Sequence, residues 1–172
     1  GLEEDSQSRY LEAAAHGVLV GCLYLPNGNP RPGPKFDFKL RWLDRLHKHL
    51  ASLIELDAPV IVAGDFNVIP TDMDVYAPER WHDDALFAPE VRAAFQRLLE
   101  QGWTDAIRRL HPHDTIYTFW KYWRGSFERN AGLRIDHFLL NPVATARLVA
   151  AAVCRRPRGW AETREQAPAW VE

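Results

Sequence analysis

Four consecutive apolar residues, Val60 to Ala63, run directly into Gly64, Asp65, Phe66 and Asn67. No other stretch constrains the chain as much. An apolar run without polar alternation reads as a strand buried on both faces, which demands a layered molecule. The residues before it supply a layer. Phe36, Leu40, Leu43, Leu46, Leu50, Leu53 and Ile54 recur at spacings of three and four, the mark of an amphipathic helix. Further upstream, "RYLEAAAHGVLVGCLYLPNG" reads as two strands around His16-Gly17, the second apolar enough to be central. Residues 66–88 read as a loop with short turns, and a second helix runs from near Pro89 to Gly102. "IYTFWKYW" is strand-like, as are "GLRIDHFLLN", "AAVCRR" and "APAWVE", with a short helix at "PVATARLV". Hairpins mixed with helices predict an α+β sandwich, with residues 1–172 as a single domain.

Net charge is −2, which excludes a global positive field that would recruit a polyanion. The local distribution is uneven. Residues 31–49 carry Arg31, Lys35, Lys39, Arg41, Arg45 and Lys48, whereas residues 55–90 carry nine acids and one base, Arg80. Two solvated faces of opposite sign fit this pattern, and so does a metal-dependent enzyme acting on phosphates. Cys22 and Cys154 stand at no metal-ligand spacing, so reduced thiols and a cytoplasmic setting are expected. The start, "GLEEDSQSRY", is acidic and polar, unlike a secretory signal, and no apolar run reaches the ~18 residues of a membrane span.

Asp65 and Asn67 end a strand where functional groups are held rigidly. The carboxylate can accept a proton or align a water, and the carboxamide can hydrogen-bond a phosphoryl oxygen. An Asx turn that merely ends the strand explains the pair equally well. Asp136 lies within another apolar strand, where a buried carboxylate needs a partner.

Taken in order, "LYLPNG", "KFDFKLRW", "AGDFNVIPTDMDVY", "GWTDAIR", "YTFWKYW", "GLRIDHFLL" and "RGW" resemble the exonuclease III family. These are magnesium-dependent abasic-site endonucleases and 3′-exonucleases of the endonuclease/exonuclease/phosphatase superfamily. The resemblance implies a four-layered fold of two packed sheets flanked by helices. It implies that Asp65 positions or deprotonates the attacking water, that Asn67 meets the transition state and that the Tyr24 hydroxyl meets the scissile phosphate. It further implies that Asn27 makes a nearby polar contact and that Asp136 orients a catalytic histidine. Phe119 and Leu133 resemble the apolar lining of a pocket for a base-less sugar. Trp120 stands beside them, but core packing is its expected fate. Lys35 and the rest of the basic stretch, with Arg124 and Arg129, would contact DNA phosphates. The implied cofactor is Mg2+ or Mn2+, with Asp65, Asn67 and Glu165 as candidate ligands. The implied partner of a monomeric protein is double-stranded DNA with abasic sites or 3′ ends.

Two departures qualify this. The family's opening strands, one bearing an asparagine and one a metal-binding glutamate, have no counterpart here, so the chain corresponds to roughly the C-terminal two-thirds of the pattern. Asp72 and Asp74 match ordinary loop acids of the family and do not replace that glutamate. The family's Ser-Asp-His triplet is matched by Arg164, Glu165 and Gln166, and a carboxamide cannot exchange protons near neutral pH. Loss of a general acid/base costs on the order of 10²–10⁴ in rate. The chain alone is therefore expected to be weakly active or inactive. The leading expectation is metal-dependent phosphodiester hydrolysis in DNA repair. A non-catalytic DNA-binding remnant and a phosphatase acting on a small phosphoester are the alternatives.

Overall fold

The computed structural model describes residues 7–160 and 164–172, so the first six residues of the acidic start lie outside it. Strands β1 (Tyr10–Ala15) and β2 (Val18–Tyr24) form a hairpin through His16-Gly17. Both turn residues have positive φ (50° and 79°), which matches the twist of a two-residue hairpin loop. The chain then crosses over through helix α1 (Pro34–Leu53) to β3 (Val60–Asp65), which runs parallel to β2. Helix α2 (Pro89–Glu100) packs on α1. A two-residue strand, β4 (Thr104–Asp105), leads straight into helix α3 (Ala106–Leu110), whose first turn is capped by the Asp105 carboxylate. Strand β5 (Asp136–Leu140) lies antiparallel to both β3 and β4, giving the order β1-β2-β3-β5-β4. Helix α4 (Pro142–Thr145) follows, and β6 (Ala151–Val153) pairs with β7 (Ala169–Val171) as a second, two-stranded sheet.

The main core fills the space between the large sheet and helices α1 and α2. Leu50, Val60, Val62, Phe66, Val68, Leu98 and Leu139 have no exposed surface there. Each fully buried side chain of this kind contributes about 1.5–3 kcal/mol. On the opposite face, Ile61, Phe138 and Leu140 meet α3 and the β6–β7 ribbon. Two sheets flanked by helices in an α+β arrangement is the expected architecture.

Three expectations are corrected. The run Val60–Ala63 is not buried on both faces: Val60 and Val62 are fully enclosed, whereas Ile61 and Ala63 are only half-buried. The same open face continues outward through Cys22, Val20 and Leu11, all exposed. "IYTFWKYW" does not form a strand. The amides of Thr118 and Phe119 both donate to Leu133 O, so two residues face one and the ladder breaks at a bulge. Asp74 is not an ordinary loop acid. It is fully buried, and it accepts hydrogen bonds from Arg134 Nε (2.7 Å) and Arg108 (2.6 Å). Arg134 also donates to Asp105 (2.7 Å), so one buried guanidinium ties the loop after β3 to β4 and β5. Cys22 and Cys154 are free thiols, and no helix among the described residues is long and apolar enough to cross a membrane.

Candidate active site

Backbone register alone brings three side chains into a row. Tyr24 of β2 pairs with Asp65 of β3, and Asp65 pairs with Asp136 of β5. Gly64 makes the approach possible. Its φ is +139°, and a Cβ there would lie 2.0 Å from Leu23 O. Just past β3, Asn67 takes a left-handed backbone (φ 48°), with its amide donating to Asp65 Oδ1 (2.8 Å). The Asx turn is therefore present, and it fixes the carboxylate as well as ending the strand.

Around this row the polar groups are closely engaged. Asn67 Nδ2 donates to Leu25 O (2.9 Å), and Asn27 Nδ2 donates to Asn67 Oδ1 (3.3 Å). Gln166 Nε2 lies between the two acids, 3.1 Å from Asp65 Oδ2 and 3.0 Å from Asp136 Oδ1. Gln166, which the resemblance aligns with the family's histidine, thus bridges the two acids through its carboxamide. Asp136 Oδ2 is buried without a hydrogen-bond partner. Burial pushes Asp65 up to about 6, against the opposing effects of the Asn67 amide, Lys39 and Gln166. Burial and then the charge of Asp65 push Asp136 up to about 7. The two carboxylates are a coupled pair that does not readily carry two charges together. Burial draws Lys39 down to about 7, against the opposing charges of Asp65 and Asp84.

Asp65, Asn67, Asn27 and Gln166 open into a cleft of about 610 Å³, whereas Asp136 and Lys39 lie behind its lining. Tyr24, Asn27, Asp65, Asn67, Phe119, Leu133, Glu165 and Gln166, all expected at the site, line it together. Tyr24 is 55% exposed, so its ring is available to a ligand rather than absorbed in the core. Lys35 lines an adjoining depression with Asn27, Gly28 and Asn29. Trp120 is buried behind the cleft, as its packing reading required, donating to Asn130 Oδ1 (3.2 Å). Arg124 is exposed but does not line the cleft. Among the described residues no histidine lines it either. Sequence reasoning missed Trp81, Lys121, Asn29 and Asp84. Trp81 faces the Lys121 ammonium at 5.1 Å, and Asn29 Nδ2 donates to Asp84 (3.0 Å). A lone tryptophan in an otherwise acidic loop was the available signal for Trp81.

Comparison with known proteins decides the family. Residues 4–156 match the model of the endonuclease/exonuclease/phosphatase family. The chain belongs to that family. Within the family it is 34% identical over 145 residues to an exodeoxyribonuclease of Bacillus subtilis, covering 82% of this chain and 56% of that protein. It is 30% identical over 181 residues to exodeoxyribonuclease III of Haemophilus influenzae, covering 98% of this chain and 68% of that protein. The structure of a 3′ phosphatase from Neisseria bound to a product DNA hairpin superposes with a TM-score of 0.94 at 34% identity. That match covers 98% of this chain and 66% of the other. The chain thus spans little more than half the length of the Bacillus relative.

Nucleases of this family are metal-dependent. The described residues hold no group of three or more His, Cys, Asp or Glu able to bind an ion. Of the expected ligands, Asn67 has its carboxamide engaged by Leu25 and Asn27, while Gln166 presents an N–H to an oxygen of each carboxylate. Mg2+ keeps most of its waters and needs only one or two carboxylates, and Asp65 and Glu165 are the expected carboxylate ligands that line the cleft; an ion on Asp65 Oδ2 would compete with the Gln166 N–H for that oxygen.

Proposed function

We propose that the cleft is a phosphodiesterase site of the exonuclease III type, within a single domain spanning residues 1–172. Its substrate would be duplex DNA at abasic sites or 3′ ends. The observation that carries this reading is the row Tyr24–Asp65–Asp136 at three adjacent strand ends, of which Tyr24 and Asp65 share the cleft with the apolar Phe119 and Leu133. In its ionised form Asp65 aligns a water and accepts its proton. The second Nδ2 proton of Asn67 is directed at a phosphoryl oxygen, where negative charge builds. The Tyr24 hydroxyl contacts the same phosphate from the rim. Phe119, Leu133 and Trp81 enclose a sugar that lacks its base. Lys35 and Lys121 receive flanking phosphates without reading sequence. Mg2+ or Mn2+ is the expected ion. The protein is read as a monomer acting in the cytoplasm.

The test is cleavage of a labelled duplex with one abasic site, and of one with a recessed 3′ end, in Mg2+ and then in EDTA. Cutting that requires Mg2+ and disappears in Asp65→Ala supports the proposal. A folded chain that binds the duplex without cutting it supports a second reading, a DNA-binding module. Gln166 favours that reading, because it holds both carboxylates and carries no titratable proton. Binding of this kind would weaken steeply with salt.

A further inference from the structure

Helix α1 buries Phe36, Lys39, Trp42, Leu43, Leu46, Leu50 and Leu53. Lys39 therefore occupies a seam position in an otherwise apolar stripe, and it has no exposed surface. A buried ammonium costs several kcal/mol unless it is hydrogen-bonded, and a leucine or methionine would fill the same space. What distinguishes Lys39 is where its protons go. Nζ donates to Asn27 O (3.0 Å), in the loop after β2, and to Asn67 O, in the loop after β3. Those are the two residues whose carboxamides meet in the cleft. The stem is seated as firmly as the head. Gly28 has φ +90°, and a Cβ on it would lie 2.6 Å from Lys39 Cδ.

We propose that Lys39 is a positioning residue, whose ammonium staples the loops after β2 and β3 so that Asn27 and Asn67 face one another across the cleft. It touches no substrate. It acts from behind, through two backbone carbonyls on different loops. A side chain serving only to fill the core would need neither bond. Without the staple, Asn67 would keep its left-handed turn and its bond to Asp65, but only its side-chain bonds to Leu25 O and Asn27 would still tie it to the loop after β2.

The unaltered chain gives the direct test. At pH about 5, well below the value of about 7 to which burial draws Lys39, 15N-lysine and 13C-carbonyl labelling should show its ammonium as a slowly exchanging signal with couplings across hydrogen bonds to the carbonyl carbons of Asn27 and Asn67. A Lys39 ammonium that exchanges like surface lysines, without those couplings, would overturn the proposal. Lys39→Met removes the donor and keeps the stem. In that variant the side-chain amide of Asn67 should lose roughly tenfold or more of its exchange protection. The core amides of Val62 and Leu139 should keep theirs. Unchanged protection at Asn67 in the folded variant would show that Lys39 only fills space. If the variant does not fold, the couplings in the unaltered chain still decide.

The kinetic consequence rests on the phosphodiesterase reading. In a chain that cuts DNA, Lys39→Met should lower kcat roughly 10- to 100-fold with little change in KM, since displacement of a supporting group by about 1 Å costs that much. An effect confined to KM would assign Lys39 to DNA binding and overturn the proposal. The NMR tests hold or fail without any turnover, so failure of the two readings can be told apart.

Discussion

Replacing Asp136 by asparagine should flatten part of the dependence of stability on pH, by an amount the site itself sets. Asp136 ionises near 3.8 when unfolded and is pushed up to about 7 when folded, by burial and then by Asp65. Its folded pKa is raised, so the folded state holds a proton that the unfolded state has released. The stabilisation is present at low pH and is lost as pH rises through the folded value. Between pH 5 and 7 the folded state gives up about two units' worth, at about 1.36 kcal/mol per unit, or roughly 3 kcal/mol. Asp136→Asn carries no such proton, yet keeps an oxygen to accept from Gln166. It leaves a polar atom at the orphaned Oδ2 position in both proteins, so any cost there is nearly independent of pH. Urea unfolding of both proteins at half-unit steps from pH 5 to 8 measures the difference. The variant should gain roughly 3 kcal/mol relative to the parent across that range, most of it by pH 7. A difference flat to within about 0.5 kcal/mol would show that Asp136 is not enclosed as described, and would remove the case for a coupled pair.

Further predictions concern the scaffold. Arg134→Met removes the only guanidinium on Asp105 Oδ2 and one of the two on Asp74 among the described residues, and should cost roughly 3–5 kcal/mol, read as a lower urea midpoint. Asp74 itself is pushed up by burial, but the charge and hydrogen bond of Arg134, with Thr71 and Arg108, outweigh this and hold it down to about 2. Burial and then the Arg134 charge draw His137 down to about 4, despite opposing effects from Asp105, the Val68 carbonyl and Asp74. Its ring resonances should therefore not titrate between pH 6 and 8, and the neutral-ring contribution to stability should be lost as pH falls from about 6.5 towards 4. Gly64→Ala, which sets a methyl against Leu23 O at positive φ, should destabilise by more than about 3 kcal/mol. Thermal unfolding checks this.

The elements that carry the row were legible because their burial follows simple periods. The hairpin, α1, α2, β3 and β5 all declare themselves by apolar spacing, and Tyr24, Asp65 and Asn67 sit where those strands stop. Lys39 was read as part of a basic arm for DNA. Its charge drew it into a count of cations, although its spacing from Phe36 and Leu43 puts it in the apolar seam. Arg31, counted in the same arm, turns inward to the carbonyls of His82 and Asp83 and to Glu90. Asp74 was misjudged for a related reason. Its partners Arg108 and Arg134 are 34 and 60 residues away, and no local pattern announces a buried ion network. The bulge at Thr118–Phe119 depends on Leu133 across the ladder, and Trp81 reaches the cleft only because the loop after β3 folds back over it. Each of these is fixed by long-range pairing, which spacing along the chain does not encode.

The row at the strand ends also works as a ruler. Neighbouring strands lie about 4.8 Å apart, so the Cα atoms of Tyr24, Asp65 and Asp136 mark off two rungs, about 10 Å in all. No side chain sets that interval; the peptide ladder does. A slip of one rung-step by β5 along β3 would not tilt the site by degrees. It would exchange Asp136 for Ile135 or His137, a carboxylate for an alkyl group or an imidazole, with no intermediate position. The chemistry of this edge is digital, and its unit is the residue.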